Sequence, residues 1–98
     1  MEKKAAAVSI IMPAYNAAAY IEKSVQSVLA QTMPDFELII VNDGSKDNTA
    51  ELIQALAEKD GRIRALSIEN RGPALARNYA LEQLNGETGY VCFIDSDD

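Results

Sequence analysis

Short apolar runs and longer amphipathic stretches alternate along the chain. The runs are rich in β-branched residues and carry few polar positions, which is typical of strands buried on both faces of a sheet. In the longer stretches, apolar residues recur every three to four positions, which predicts helices with one buried face. The pattern therefore predicts four strands and three helices in alternation, with strands at Val8–Met12, Phe36–Val41, Ile63–Ile68 and Tyr90–Ile94.

Each predicted helix has a start or stop signal. Asn16 is predicted to cap the first helix, and residues 47–49 (Asp-Asn-Thr) offer caps for the second. Gly61 suits a left-handed position that closes the second helix. Pro73 fits the first turn of the third helix, which is predicted to run to about Asn85. The inward faces are predicted to consist of Ala18, Ile21, Val25, Val28 and Leu29, then Leu52, Ile53, Leu56 and Ala57, then Ala76, Tyr79, Ala80 and Leu84.

Helices that alternate with apolar strands favour right-handed crossovers and a parallel sheet. With 98 residues, the chain has room for one compact domain. The last predicted strand runs directly into residues 95–98 without a helix to cover it. We therefore expect the chain to be part of a larger domain.

Composition removes several classes of function. The net charge of −6 and the lack of a dense basic run argue against a general nucleic-acid binder. The chain has no histidine, which excludes Ser-His-Asp, Cys-His and histidine-based zinc chemistry within it. Carboxylates remain as metal ligands, and they favour hard cations such as Mg²⁺ or Mn²⁺.

The single cysteine and the N-terminus bear on location. Cys92 lies in an apolar run and is predicted to be a buried thiol, with no partner for a disulfide within the chain. Residues 1–7 are too short and too mixed for a signal peptide, and no apolar stretch approaches the roughly 20 residues of a membrane helix. We expect a cytoplasmic protein, with membrane association in a longer form of it.

Polar or conformationally special residues follow every predicted strand. In an open parallel sheet, ligands bind outside the carboxyl ends of the strands, so these residues are expected at one ligand-binding edge. The four segments are Pro13–Asn16, Asn42–Ser45, Glu69–Gly72 and Asp95–Asp98.

Three side chains in or near these segments each admit two interpretations. Tyr15 suits stacking on a planar base, or packing over a helix start. Asp43 suits accepting a hydrogen bond from the imide N–H of a base, or stabilising a local turn. Arg77 suits contact with a diphosphate or pairing with Asp95 or Asp97, or simple solvation on its helix.

The acidic cluster at residues 95–98 holds three carboxylates in four positions. Carboxylates this close repel one another unless a cation lies between them, which makes the cluster a candidate site for a divalent ion bound to phosphate oxygens. An acidic, exposed chain end is the equally weighted alternative. Neither G-x-G-x-x-G nor a P-loop motif is present, and no lysine follows Lys59, which argues against dinucleotide, P-loop and response-regulator-like functions.

Together the segments resemble the inverting glycosyltransferases of family 2, which have the GT-A fold. The resemblance is carried in order by residues 8–16 (VSIIMPAYN), 37–47 (ELIIVNDGSKD), 70–78 (NRGPALARN) and 95–98 (DSDD), and Gln31-Thr32 also fits. It covers nearly the whole chain from residue 8 onward. It implies a Rossmann-like α/β half-domain with mainly parallel strands in the order 3-2-1-4.

The resemblance also implies roles for individual residues. Asp95 would begin the D-x-D pattern. Asp97 and Asp98 would bind a divalent cation, Mn²⁺ or Mg²⁺, next to the diphosphate. Asn42 stands where many relatives carry an aspartate. The implied donor-binding residues are Pro13, Ala14, Tyr15, Asn16, Asp43, Asn70, Gly72, Arg77 and Asp97.

The implied reaction is transfer of a sugar from a nucleotide sugar, UDP-linked, to a hydroxyl of a saccharide or lipid-linked acceptor, with inversion. Residues 1–7 would be a tail, and residues 8–98 the N-terminal nucleotide-binding part of the domain, up to the D-x-D motif. The catalytic base is expected beyond residue 98, so a nucleotide-sugar-binding module without chemistry of its own is the alternative. The uncovered edge of the last strand is expected to promote self-association.

Overall fold

The computed structural model describes residues 8–30, 36–84 and 90–94, and for Tyr90 only the backbone. Strands and helices alternate as the apolar pattern predicts. Parallel strands need a crossover, and each crossover here carries a helix. The elements are β1 (Val8–Ala14), α1 (Ile21–Leu29), β2 (Phe36–Asp43), α2 (Thr49–Lys59), β3 (Ile63–Ile68), α3 (Pro73–Glu82) and β4 (Tyr90–Phe93).

The described strands form one parallel sheet in the order β3-β2-β1-β4. In its register, Val8 of β1 lies opposite both Phe36 of β2 and Tyr90 of β4, and Leu38 of β2 lies opposite Ile63 of β3. The predicted strand order 3-2-1-4 is therefore confirmed. The sheet begins at its centre and grows first to one side and then to the other, so the switch in strand order lies between β1 and β4.

Helices cover both faces of the sheet. Leu38 and Ile40 point to the face that carries α1 and α2, and Ile39 and Val41 point to the face that carries α3. All four side chains are fully buried, which explains why β2 has a continuous apolar run instead of an alternating one. Burial of each such side chain contributes about 1.5–3 kcal/mol relative to exposure.

Three predictions about helix ends are wrong. α1 begins only at Ile21 with Tyr20 at its N-cap, because Asn16 has a positive φ of 48° and leads an irregular loop instead of a helix. α3 ends at Glu82, before the predicted end at Asn85, which lies outside the described residues. Gly61 does not adopt the left-handed conformation; α2 ends at Lys59, and Asp60 at its C-cap is extended.

The predicted burial of Cys92 is also wrong, since its thiol is exposed. Cys92 lies on β4, opposite Ile10 of β1. Within the described part of the sheet, β4 pairs only with β1. The apolar sequence of β4 correctly predicts a strand, but it does not show whether another element covers that strand.

Replacement of Cys92 with serine is expected to change the free energy of unfolding by less than about 0.5 kcal/mol, because the site is exposed. The measurement is urea denaturation of both proteins. In the folded protein, the thiol should react with a maleimide at a rate close to that in urea. Strong protection from the maleimide in the native state would contradict the exposed position.

None of the helices in the described residues is long and apolar enough to cross a membrane.

Candidate functional site

Three loops meet at the carboxyl edge of the sheet. The first loop (residues 15–20) follows β1, the second loop (residues 44–48) follows β2, and the third loop (residues 69–72) follows β3. Long-range hydrogen bonds that backbone amides donate to side-chain oxygens connect the first loop to the second and β2 to the third loop. The sheet edge thus places three of the four predicted ligand-binding segments together.

Asp43 joins the end of β2 to the third loop. The residue is only 4% exposed. Its Oδ1 accepts a hydrogen bond of 2.8 Å from the amide of Arg71, and its Oδ2 accepts one of 2.9 Å from the amide of Gly72. Hydrogen bonds to an ionised carboxylate are stronger than neutral ones, so this pair fixes the third loop. The contact between Asp43 and a nucleobase stays a prediction.

One interpretation of Asp43 was that its side chain stabilises a local turn, but the side chain that does so is that of Asn42. Oδ1 of Asn42 accepts a hydrogen bond of 3.1 Å from the amide of Ser45. An amide side chain suffices for this turn, because only a carbonyl acceptor is needed.

Gly44 lets the second and third loops pass in backbone contact. Its φ is +68°, and a Cβ placed there would lie 2.5 Å from the amide nitrogen of Asn70. Gly72 also has a positive φ, +94°, but a Cβ there would meet nothing within 4 Å. Gly44 is therefore needed for both conformation and space, and Gly72 for conformation alone.

Asn16 ties the first loop to the second. Its amide donates to the Ser45 hydroxyl at 2.9 Å, and its own Oδ1 accepts from the amide of Lys46 at 2.8 Å. The reciprocal pair explains why asparagine, which tolerates positive φ better than most residues, stands at this position. Asn16 is thus a loop anchor, and its contact with a donor stays a prediction.

Asp47 and Thr49 also belong to this site, although the sequence indicated only helix caps. The Thr49 hydroxyl accepts from the amide of Ala17 at 2.8 Å, and Asp47 Oδ2 accepts from the amide of Ala18 at 3.3 Å. Asp47 Oδ1 accepts from the Thr49 hydroxyl and from its amide. The spacing Asp-x-Thr, one residue beyond the Asn42–Ser45 turn, was the available signal.

The hydrogen bond from the Thr49 hydroxyl, together with backbone amides, lowers the pKa of Asp47 below its usual 3.8. The ionised form is therefore favoured in the folded protein. The stability that Asp47 contributes is present above pH 3.8 and is lost as the pH falls through the lowered pKa.

The remaining predicted donor residues lie at the same edge with different exposure. Tyr15 is 45% exposed, so its ring is accessible for stacking. Pro13 is half-buried, and Asn70 is exposed. Ala14 is 1% exposed and packs into the core with residues of α1, so its contact with a donor stays a prediction.

Arg77 lies near the end of β4. Its guanidinium carbon is 5.7 Å from the centroid of the Phe93 ring, which suits a cation–π contact. This contact brings the positive charge close to the point where the chain enters the acidic cluster. Asp97 and Asp98 themselves lie outside the described residues, and within the described ranges no group of three or more acidic or cysteine side chains forms a metal site.

A separate groove of about 460 Å³ lies between β3 and α3. It contains Glu69 and Arg71 of the third loop, but none of the predicted donor residues. The donor site is therefore assigned from the loop edge and not from this groove.

Comparison with known proteins supports a common origin. Residues 9–98 match the model of Glycosyl transferase family 2. The chain is 50% identical over 92 residues to the putative teichuronic acid biosynthesis glycosyltransferase TuaG of Bacillus subtilis. The matched region covers 93% of this chain and 36% of TuaG.

Solved structures share the fold. TarS of S. aureus, residues 1–349 in complex with UDP-GlcNAc, has a TM-score of 0.80 and 34% identity over 92% of this chain and 26% of its own. The mannosyltransferase PcManGT of Pyrobaculum calidifontis, in complex with GDP-Man and Mn²⁺, has a TM-score of 0.82 and 30% identity. That match covers 96% of this chain and 28% of PcManGT. The sheet order and these likenesses confirm the predicted Rossmann-like GT-A arrangement.

The chain spans about a third or less of the length of these relatives. The matched region nevertheless includes the three loops and the acidic cluster. The chain belongs to Glycosyl transferase family 2.

Proposed function

We propose that this chain forms the donor-binding part of an inverting glycosyltransferase that transfers a sugar from a UDP-linked donor to an acceptor hydroxyl. The observation that carries the proposal is the set of three loops fixed at the carboxyl edge of the sheet by Asn16, Asp43 and Gly44. This is the edge at which parallel α/β sheets bind nucleotides. The exposed Tyr15 supplies a flat surface for a base at that edge.

The choice of UDP rests on Asp43 and on the likeness to TarS, which was solved with UDP-GlcNAc. Each oxygen of Asp43 already accepts one backbone hydrogen bond. A carboxylate has about four acceptor positions, so two remain open. The single imide N–H of uracil needs one of these positions, so Asp43 can accept it while it holds the third loop.

A divalent cation, Mn²⁺ or Mg²⁺, is proposed at Asp97 and Asp98, and the structure of PcManGT with Mn²⁺ supports such a cation in this family. When bound, the ion would neutralise the diphosphate and help it to leave. Arg77 adds a positive charge near the end of β4. Asp97 and Asp98, through the bound cation, and Arg77, through its own charge, would together hold the diphosphate.

The alternative is a nucleotide-sugar-binding module without chemistry, since no described residue is assigned as the base that deprotonates the acceptor. Detection of UDP binding without turnover would favour this alternative for the chain. A saccharide or lipid-linked acceptor, self-association through the edge of β4, the cytoplasmic location and the membrane association of a longer protein stay predictions.

Binding of UDP is expected to depend on Mn²⁺. Titration calorimetry should show an affinity at least about tenfold weaker in EDTA, equivalent to about 1.4 kcal/mol, because the diphosphate would then face the acidic cluster without a cation. Asp98→Asn should reproduce most of this loss. Glu82→Gln, an exposed acid on α3, is the matched control and should leave the affinity unchanged.

Two outcomes would contradict the assignment. Equal affinity for UDP with and without Mn²⁺ would exclude the proposed metal pair. GDP binding more tightly than UDP would exclude the uracil preference and leave a guanine-linked donor, as PcManGT has in its solved complex.

A further inference from the structure

Three successive amides of the first loop are held by three alternate side chains of the segment after β2. The amides of Asn16, Ala17 and Ala18 donate to side chains at positions 45, 49 and 47 respectively. The partners are 29 to 32 residues apart in sequence. The first loop comes before the first turn of α1, so its amides need such partners from outside the loop.

We propose that Asp47 is a positioning residue for donor binding: through Thr49 it holds the first loop, and with it Tyr15, in the arrangement that receives the base. This inference rests on the proposed function. Asp47 is exposed and does not need to touch the donor. It acts through the two amides that follow Asn16.

The role of Asp47 follows from the single proton of the Thr49 hydroxyl. That proton is donated to Asp47 Oδ1, so the hydroxyl oxygen is left to accept from the amide of Ala17. Thr49 is fully buried, so water does not replace Asp47 as the acceptor without a rearrangement. The other oxygen of Asp47 accepts directly from Ala18. One carboxylate thus controls two neighbouring amides.

A loop held in its binding conformation does not have to be ordered by the ligand. Without Asp47, donor binding would have to restrict the residues around Tyr15, and affinity would fall accordingly. We expect Asp47→Ala to weaken UDP binding about tenfold and Asp47→Asn about threefold, since asparagine keeps one acceptor oxygen. Thr49→Val, which removes the hydroxyl, should weaken UDP binding as much as Asp47→Ala does. Thr49→Ser, which keeps a hydroxyl, should bind UDP as tightly as the unchanged chain.

The control is Glu51→Gln, which removes the same charge from the first turn of α2 without touching the first loop. It should leave UDP affinity unchanged. A double-mutant cycle with Tyr15→Ala separates positioning from a general loss of stability. If Asp47 acts through Tyr15, Asp47→Ala will have little further effect once the ring is absent. Equal effects with and without the ring would overturn the proposal.

Amide hydrogen exchange provides a measurement that needs no nucleotide. In Asp47→Ala, the amides of Ala17 and Ala18 should exchange at least tenfold faster, and those of the central strand β2 should not change. Unchanged exchange at Ala17 and Ala18 would overturn the proposal whether or not UDP binds. If Asp47→Ala exchanges faster but the unchanged chain does not bind UDP, Asp47 does hold the first loop. That result would refute both its role in donor binding and the proposed function.

Discussion

Replacement of Gly44 with alanine is expected to lower the free energy of unfolding by about 2–5 kcal/mol. The left-handed φ of +68° costs a residue with a Cβ about 1–2 kcal/mol. The new Cβ would also lie 2.5 Å from the amide nitrogen of Asn70, and relief of such an overlap by backbone shifts costs about 1–3 kcal/mol. Urea denaturation measures the loss.

Two other glycines provide matched controls. Gly72 has a φ of +94° but open space around it, so Gly72→Ala should show only the cost of conformation. Gly61 has neither a positive φ nor a neighbour within 4 Å, so Gly61→Ala should be neutral or slightly stabilising. The predicted order of destabilisation is thus Gly44, Gly72, Gly61. A loss at Gly44 no larger than that at Gly72 would contradict the close approach of the second and third loops.

The consequence for function is specific to this contact. A shift that relieves the overlap moves Asn70 away from the end of β2. The third loop is also held there by Asp43 through Arg71 and Gly72. Gly44→Ala is therefore expected to weaken UDP binding about tenfold, measured at a temperature where the variant is fully folded.

The sequence predicts the sheet well because each strand is decided by local composition. The run from Leu38 to Val41 has no polar position and is rich in β-branched residues, which favours a strand covered on both faces. The strand order could not be obtained from periodicity, and it was implied by the family resemblance alone. Cys92 was wrongly predicted as buried because burial depends on what lies beyond an edge strand, and composition does not contain that information.

The site is less predictable than the sheet because its contacts are long-range. Asn16 has the composition of a helix cap, yet its partners are Ser45 and Lys46. Asp47 likewise bonds its local neighbour Thr49, as a cap does, and also Ala18 in another loop. Sequence spacing identifies the residue types that bond to backbone amides, but the sheet register decides which amides they reach.

Asp43→Ala is expected to lower the free energy of unfolding by about 3 kcal/mol, because it removes two charge-assisted hydrogen bonds of a buried carboxylate. Asp43→Asn should lose about half as much. Its carbonyl oxygen still accepts from one amide, but its NH₂ group then faces the other amide as a second donor. Thermal or urea denaturation gives both values.

Asp60 provides the control, because its carboxylate accepts three short hydrogen bonds, all from Arg62, but at the surface. Asp60→Asn should cost less than about 1 kcal/mol, since water replaces the lost partner. Comparing the losses of stability at Asp43 and Asp60 shows whether burial of the carboxylate, and not the number of its hydrogen bonds, sets the cost. A loss at Asp43 no larger than at Asp60 would show that the third loop does not depend on this carboxylate. UDP affinity adds a second criterion: Asp43→Asn should weaken it more than Gly72→Ala does, because Asp43 both holds the third loop and is proposed to accept the imide N–H of uracil.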